Sequence, residues 1–358
     1  MMERYIVVDN VCGWPKLTLM DDGSINLDVH NKPHHGSYDG SAECWKSTDG
    51  GKIFEKVGVS GVGSMEEGPF IDKACGVAHN GDYIVVVEKR FENDAYIFRS
   101  SDGGKTFTEM GKLVMDGAKP IPYGKILRLG GKTLVMSYWY VTDKEKKPDS
   151  KGVREEHIRI SRDDGYTWEE DYLINEGINE TAIWFFDDSE GIAVGRADEL
   201  VEGNQRRGDA GNGNRLYRTT DGGKTWQFEG CLLGHQMIPA DLLLLSDGTL
   251  LMTFGFRFAN MGGVMACISK DKGVTWSDPN ILVHYSGNDG GYPSSVQLAD
   301  GTIVTAYYSD GNDYHTRYHV GVIRWKTEEL IEARWVDRPA KFYYGTDTEY
   351  IHDRRMNG

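Results

Sequence analysis

SSDGGKTF, residues 100–107, recurs along the chain as STDGGKIF (47–54), SRDDGYTW (161–168), TTDGGKTW (219–226) and SKDKGVTW (269–276). The shared pattern is Ser or Thr, any residue, Asp, any residue, Gly, two further residues, then Phe or Trp. The copies start at 47, 100, 161, 219 and 269, so successive starts lie 53, 61, 58 and 50 residues apart. A spacing that long makes each repeat one supersecondary unit.

Each copy has a local structural job. Asp49, Asp102, Asp163, Asp221 and Asp271 can fold their carboxylates onto the backbone N–H groups of a turn, and the Gly two residues later supplies a positive φ angle. The pattern therefore predicts a hairpin turn, with the closing aromatic re-entering a strand and covering the turn. These carboxylates are structural and are not read as catalytic.

The pattern resembles the Asp-box of the sialidase-like β-propellers, and the resemblance runs over most of the chain. It implies an all-β fold, a six-bladed β-propeller in which each box joins the third and fourth strands of a blade. In such a fold four-stranded sheets stand around a central channel and leave only short protected edges. Composition agrees: 358 residues with 45 Gly, 19 Tyr and 39% hydrophobic content suit many short strands and tight turns around a sizeable core.

Taken in order, RYIVVD (4–9) reads as a strand that completes the last blade, since the last repeat has no box. Five repeats with boxes follow, and GYPSSVQLADGTIVTAYYSDG with RYHVGVIRWK makes a sixth, so the propeller is assigned to 1–326. NKPHHGSYDG (31–40) is a loop, too rich in Pro, Gly and His for strand. TDKEKKPDSKGVREE (142–156) reads as a solvated insertion, and 202–214 as a polar Gly-rich loop. The tail 327–358 carries a helical pattern in TEELIEARW and is expected to pack on the propeller or to serve a homodimer.

In a propeller the innermost strands begin at one mouth of the channel. Counting back from each repeat's DG or GG turn places Trp14, Lys16, Tyr123, Lys125, Glu180, Asp241 and Tyr292 there. Loops after the same strands add His34, His35, Asp39, Arg90, Arg196 and Arg257. Carboxylates, ammoniums and phenols meeting in one mouth are not a packing set; they predict a polar, charged pocket of the kind that binds a sugar.

The resemblance to sialidases assigns roles to some of these residues. Those enzymes use a Tyr nucleophile activated by a Glu. Tyr292, in GYPSSVQLADG, matches the family's last-blade tyrosine, and Glu180, in Asn179-Glu180-Thr181, matches its glutamate. Arg196, 16 residues after Glu180, stands where an arginine of the substrate-carboxylate clamp is expected, and Arg257 is the candidate for another. The first clamp position departs from the family: WPKL carries Lys16 in place of Arg, which removes the bidentate fork. The general acid is expected in the first-blade loop, from Asp39, His34 or His35. Arg90, Asp241 and Tyr123 are further candidates for contact with the substrate.

The reading is thus a retaining exo-glycosidase acting on a terminal acidic sugar. Two alternatives stand beside it: a uronate-specific polysaccharide lyase using His and Tyr, and a non-catalytic carbohydrate-binding propeller. The net charge of −15 argues against nucleic acid or an anionic membrane as partner, but not against a small glycoside held by local arginines. Five widely spaced cysteines, Cys12, Cys44, Cys75, Cys231 and Cys267, indicate neither a disulfide framework nor a zinc site. No cofactor or metal is expected. MMERYIVVDN lacks the apolar run of a signal peptide, and a cytoplasmic location is expected.

Overall fold

The computed structural model describes residues 2–92, 94–113, 119–142, 153–197, 213–234, 236–258, 261–285, 287, 289–312 and 315–330. Among these residues there are 24 strands and one 3₁₀ turn, Thr327–Glu329. Strand β1 is Glu3–Asp9, and the rest come in consecutive runs. The first run is β2 (Lys16–Leu19), β3 (Ile25–His30), β4 (Ala42–Ser47) and β5 (Glu55–Gly61). The second is β6 (Phe70–Val77), β7 (Tyr83–Lys89), β8 (Asp94–Ser100) and β9 (Thr108–Leu113). The third is β10 (Ile121–Arg128), β11 (Leu134–Thr142), β12 (Val153–Ser161) and β13 (Glu170–Glu176). The fourth is β14 (Asn179–Phe185), β15 (Gly191–Ala197), β16 (Gly213–Thr219) and β17 (Gln227–Leu233). The fifth is β18 (Ala240–Leu244), β19 (Leu250–Phe258), β20 (Met261–Ser269) and β21 (Asn280–Tyr285). The last is β22 (Gly290–Gln297), β23 (Ile303–Ser309) and β24 (His319–Trp325).

Each run is an antiparallel meander, and β1 joins the last by pairing with β24 from Glu3↔Arg324 to Asp9↔His319. A short parallel pairing of β6 with β10 makes one sheet of the second and third runs. The first strands touch one another in chain order, β2 to β6 and onward to β22, and β22 returns to β2. They form a closed ring. Strands inside such a ring are covered on both faces, so apolar residues run through them without alternation. Ile84, Val85, Val86 and Val87 of β7 are all fully buried, whereas β17, at the outside of its sheet, exposes Gln227 and Phe228.

The Asp-Gly boxes join the third strand of a run to the fourth. In SSDGGKTF, Asp102 Oδ1 accepts hydrogen bonds from Ser100 Oγ (2.7 Å) and from the N–H groups of Lys105 and Thr106 (both 3.0 Å). Ser100 Oγ in turn accepts from the N–H of Gly104 at 2.8 Å. Gly104 has φ 95°, and a Cβ there would come 2.7 Å from Cys44 Sγ in the preceding run. At Gly51 the equivalent Cβ would lie 2.8 Å from Val304 of β23, so the first box seats on the last run as the others seat on their predecessors.

Two segments differ from the sequence reading. The charged stretch 142–156 is not all insertion: Thr142 ends β11 and Val153–Glu156 open β12, because the β11–β12 ladder continues to the pair Thr142↔Val153. Residues 143–152 lie outside the described residues, as does most of the Gly-rich loop 202–214, whose last two residues begin β16. Of the helical pattern in TEELIEARW only the 3₁₀ turn Thr327–Glu329 is described; 331–358 lie outside.

Candidate active site

Four of the first strands break register at the same end of the ring. The pairing slips between Asp72 and Ala74 in β6, Tyr123 and Leu127 in β10, Asn179 and Ala182 in β14, and Gly291 and Ser294 in β22. A bulge re-aims a side chain that a regular pleat would send elsewhere. Glu180 and Tyr292 sit inside two of these bulges with φ of 44° and 50°. Left-handed backbone at a residue other than Gly costs on the order of 1–3 kcal/mol. Pro293 follows Tyr292 in the buried strand, where its missing N–H does no harm at a bulge.

The two bulged residues meet. Tyr292 Oη donates to the Glu180 carboxylate, lying 2.8 Å from Oε1 and 2.9 Å from Oε2. Arg196 Nη1 donates to Glu180 Oε2 at 2.6 Å and to Tyr292 Oη at 3.1 Å. Burial, and then the adjacent Glu180 charge, push the Tyr292 phenol above its ordinary range. The Arg257 guanidinium stands 5.3 Å from the centre of the Tyr292 ring and donates through Nε to the Gly290 carbonyl at 3.0 Å. Its Nη2 is buried with no hydrogen-bond partner among the described residues. Lys16 Nζ lies 4.5 Å over the Tyr123 ring, and burial lowers its pKa to about 8.

A cavity of about 370 Å³ opens over this group. Tyr292, Glu180, Arg257, Lys16, Tyr123, His35 and Arg90 all line it. Arg196 joins through its bonds to Glu180 and Tyr292. Arg196 itself is not among the lining residues, and neither are Lys125, Asp39, His34 and Asp241. Asp39 points outward, 35% exposed, and pairs with Lys32 at 2.9 Å. His34 packs edge-on against His30 and Tyr38, with ring centres 5.5 and 5.3 Å away. Asp241 is buried in an ion pair with Lys125 and accepts the Ser295 N–H at 2.8 Å. In the 31–40 loop His34 is the more buried of the two histidines and faces away from the cavity, while the more exposed His35 borders it, with Arg90 donating to the His35 carbonyl.

The cavity also holds charged residues that the sequence reading did not pick out. Lys73 and Lys119 pair with Glu88 at 3.0 and 2.5 Å. Asp289 accepts from Tyr308 Oη on Oδ1 (2.8 Å), from Tyr318 Oη on Oδ2 (2.8 Å), and meets His35 Nε2 at 2.6 Å. Burial acts to raise the Asp289 carboxyl, but these donors outweigh it and hold the pKa at about 2. The nearest local signal was the GNDGG stretch before β22, which reads only as a turn. Cys12, His35 and Asp289 bring ligand-type atoms within 4.8 Å of one another, the one such group among the described residues. The His35–Asp289 contact is shorter than the roughly 3.3 Å separating two ligands of a tetrahedral zinc, so the geometry is that of a direct hydrogen bond.

A closed ring of four-stranded meanders with its inner strands opening on one cavity defines a β-propeller, the fold of sialidases and arabinanases. Within that class the chain belongs to the BNR repeat-like domain family, whose pattern matches residues 83–305. Its structure resembles a Dyadobacter fermentans protein of unknown function, with TM-score 0.70 and 21% identity over 90% of this chain and 97% of that one. It also resembles a Hadza microbial sialidase, with TM-score 0.68 and 18% identity over 92% of this chain and 69% of that one. A third likeness is to an α-L-arabinofuranosidase of Fusarium graminearum, with TM-score 0.64 and 11% identity over 91% and 98% of the two chains. At these identities the likeness is one of fold. No curated protein sequence matches the chain.

Proposed function

We propose that the chain is a six-bladed propeller over residues 1–326 and a retaining exo-glycosidase of the sialidase superfamily. Its substrate is a terminal acidic sugar, its nucleophile Tyr292 and the activating base Glu180. The observation that carries this reading is the phenol of Tyr292 held between both oxygens of Glu180. Through that contact the phenolic proton passes to Glu180 as Oη attacks the anomeric carbon and a glycosyl-tyrosine forms. A phenol is uncharged until it reacts, so the substrate's own carboxylate does not repel it as it would repel an Asp or Glu nucleophile.

Arg257 supports an acidic sugar. A buried N–H without a partner costs free energy that an incoming carboxylate oxygen would recover. Lys16 lines the same cavity as a point charge where the family has an arginine, and Arg196 lies behind it, bonded to Glu180 and Tyr292. The test is hydrolysis of 4-methylumbelliferyl glycosides of N-acetylneuraminic acid and of uronic acids by the wild type and by Tyr292→Phe. Release that disappears in the variant is the expected result. Undiminished release by Tyr292→Phe overturns the mechanism, and saturable sugar binding without product in either protein would leave a binding propeller instead.

A further inference from the structure

We propose that His35 and Asp289 form the acid dyad of this site, His35 protonating the leaving oxygen and Asp289 holding the imidazole in place. The inference rests on the glycosidase reading above and adds the group that expels the aglycone.

Geometry favours His35 over Asp39, Asp72 and Glu88, the last of which lines the cavity but is paired with both Lys73 and Lys119. Asp39 is turned to solvent and neutralised by Lys32. Asp72 lines the cavity but is only 2% exposed, and its Oδ1 faces Ser60 Oγ between two sheets. His35 lines the cavity with a side chain 48% exposed, so a substrate can reach it. Its ring stands edge-on to Trp14 at 5.5 Å, and Trp14 stands edge-on to Tyr292 at 6.3 Å. One indole therefore sets both the nucleophile and the histidine in a single wall.

Asp289 is itself immobilised. Two phenols and His35 occupy its oxygens, and its N–H donates to Asp310 Oδ2 at 3.3 Å. The His35 main chain is pinned by Arg90 and by Gly36, whose φ is 65° and where a Cβ would come 2.4 Å from Ile71 Cδ1, so no side chain is admitted. With Nε2 directed at Asp289, Nδ1 is the ring nitrogen without a protein partner among the described residues.

The proton balance closes. In the first step the Nδ1 proton of imidazolium passes to the glycosidic oxygen as its bond to the anomeric carbon breaks, while the Tyr292 proton goes to Glu180 and Oη bonds to that carbon. In the second, water attacks the same carbon and gives its proton to the now neutral Nδ1. The tyrosyl bond breaks, and Tyr292 recovers its proton from Glu180. Asp289 is a positioning residue throughout and does not bond to the substrate.

The experiment compares two leaving groups on one sugar: the 4-methylumbelliferyl and methyl glycosides of N-acetylneuraminic acid and of glucuronic acid. An aryl leaving group departs without a proton, whereas methoxide does not. His35→Ala is expected to lose about 10²- to 10⁴-fold in kcat/KM for the methyl glycoside while keeping kcat/KM for the aryl glycoside, which reports the first step alone, within roughly tenfold. Retained aryl kcat/KM also shows that the variant is folded. Asp289→Asn should show the same split, and Asp289→Glu should recover part of the methyl-glycoside rate.

Equal loss of kcat/KM on both glycosides, or no loss on either, overturns the dyad. So does the split appearing in Asp72→Asn instead, or stoichiometric zinc in the purified wild type that Asp289→Asn releases. Failure of the underlying reading looks different: Tyr292→Phe would then keep aryl turnover, whatever His35 does.

Discussion

Tyr292 and Glu180 are 112 residues apart, yet the phenol oxygen of one stands 2.8 and 2.9 Å from the carboxylate oxygens of the other. Because Tyr292 is held above its ordinary pKa range by burial and by that carboxylate, its proton stays on the phenol in the resting protein. Glu180→Gln keeps the shape and a hydrogen bond but removes the base. Turnover is expected to fall by about 10²- to 10⁴-fold, with a smaller change in KM, in steady-state kinetics. An unchanged kcat would count against the pairing as a nucleophile and its base.

Lys16 gives the site a pH dependence on the alkaline side. It is only 3% exposed and lines the cavity, and burial brings its pKa down to about 8. Below that pH it is a cation facing the ligand, and above it the charge is lost. The inhibition constant of free N-acetylneuraminate is expected to weaken as pH rises through about 8. Lys16→Met should bind more weakly at pH 7 and lose that dependence, and a wild-type constant that stays flat across this window would sink the idea.

Asp221 links the boxes to acid stability. The Thr225 hydroxyl first, then the Thr225 N–H, hold its carboxyl down to about 2 from an ordinary value of 3.8. A carboxyl depressed in the folded state adds stability that is complete above the unfolded value and is lost as pH falls through the folded one. Asp221→Asn should therefore melt below the wild type at pH 7, with the gap shrinking as pH approaches 2. Melting curves at pH 7, 4 and 2 check it, and a gap that persists at pH 2 would contradict the linkage.

Asp28 works in the opposite sense. Burial raises it to about 7, although Tyr83 donates a hydrogen bond to it. The folded chain then keeps a proton that the unfolded chain gives up near 3.8, and the stability this contributes is lost as pH rises through about 7. Asp28→Asn cannot ionise and still offers Tyr83 an acceptor. It should melt above the wild type at pH 8 and show little gain at pH 4; equal melting temperatures at both would remove the effect.

The boxes are legible in the sequence because their chemistry is local: Asp102 satisfies N–H groups three and four residues ahead. Glu180, Tyr292, Lys16 and Tyr123 are legible because the distance from a DG or GG turn back to the start of a strand is short. Lys73 is not, since the bulge beside it overturns the alternation on which counting depends. Asp289 is harder still. Its meaning comes from His35, 254 residues away, and from Tyr308 and Tyr318 across one loop. For the loop 31–40 the sequence offered three acids, and only contacts such as that of Arg90 with the His35 carbonyl separate them.

The pairing of β1 with β24 also sets an order of events during folding. Glu3 and Arg324 are partners 321 residues apart, so every intervening strand is synthesised while β1 has nothing to dock on. Contacts between such distant segments form late, because loop closure comes before any gain from the pairing. Until then the backbone of His319–Trp325 is an open template, and an unpaired edge recruits strands from other molecules. Overexpression at high concentration therefore favours exchange of β1 between chains, with one molecule's first strand completing another molecule's last sheet.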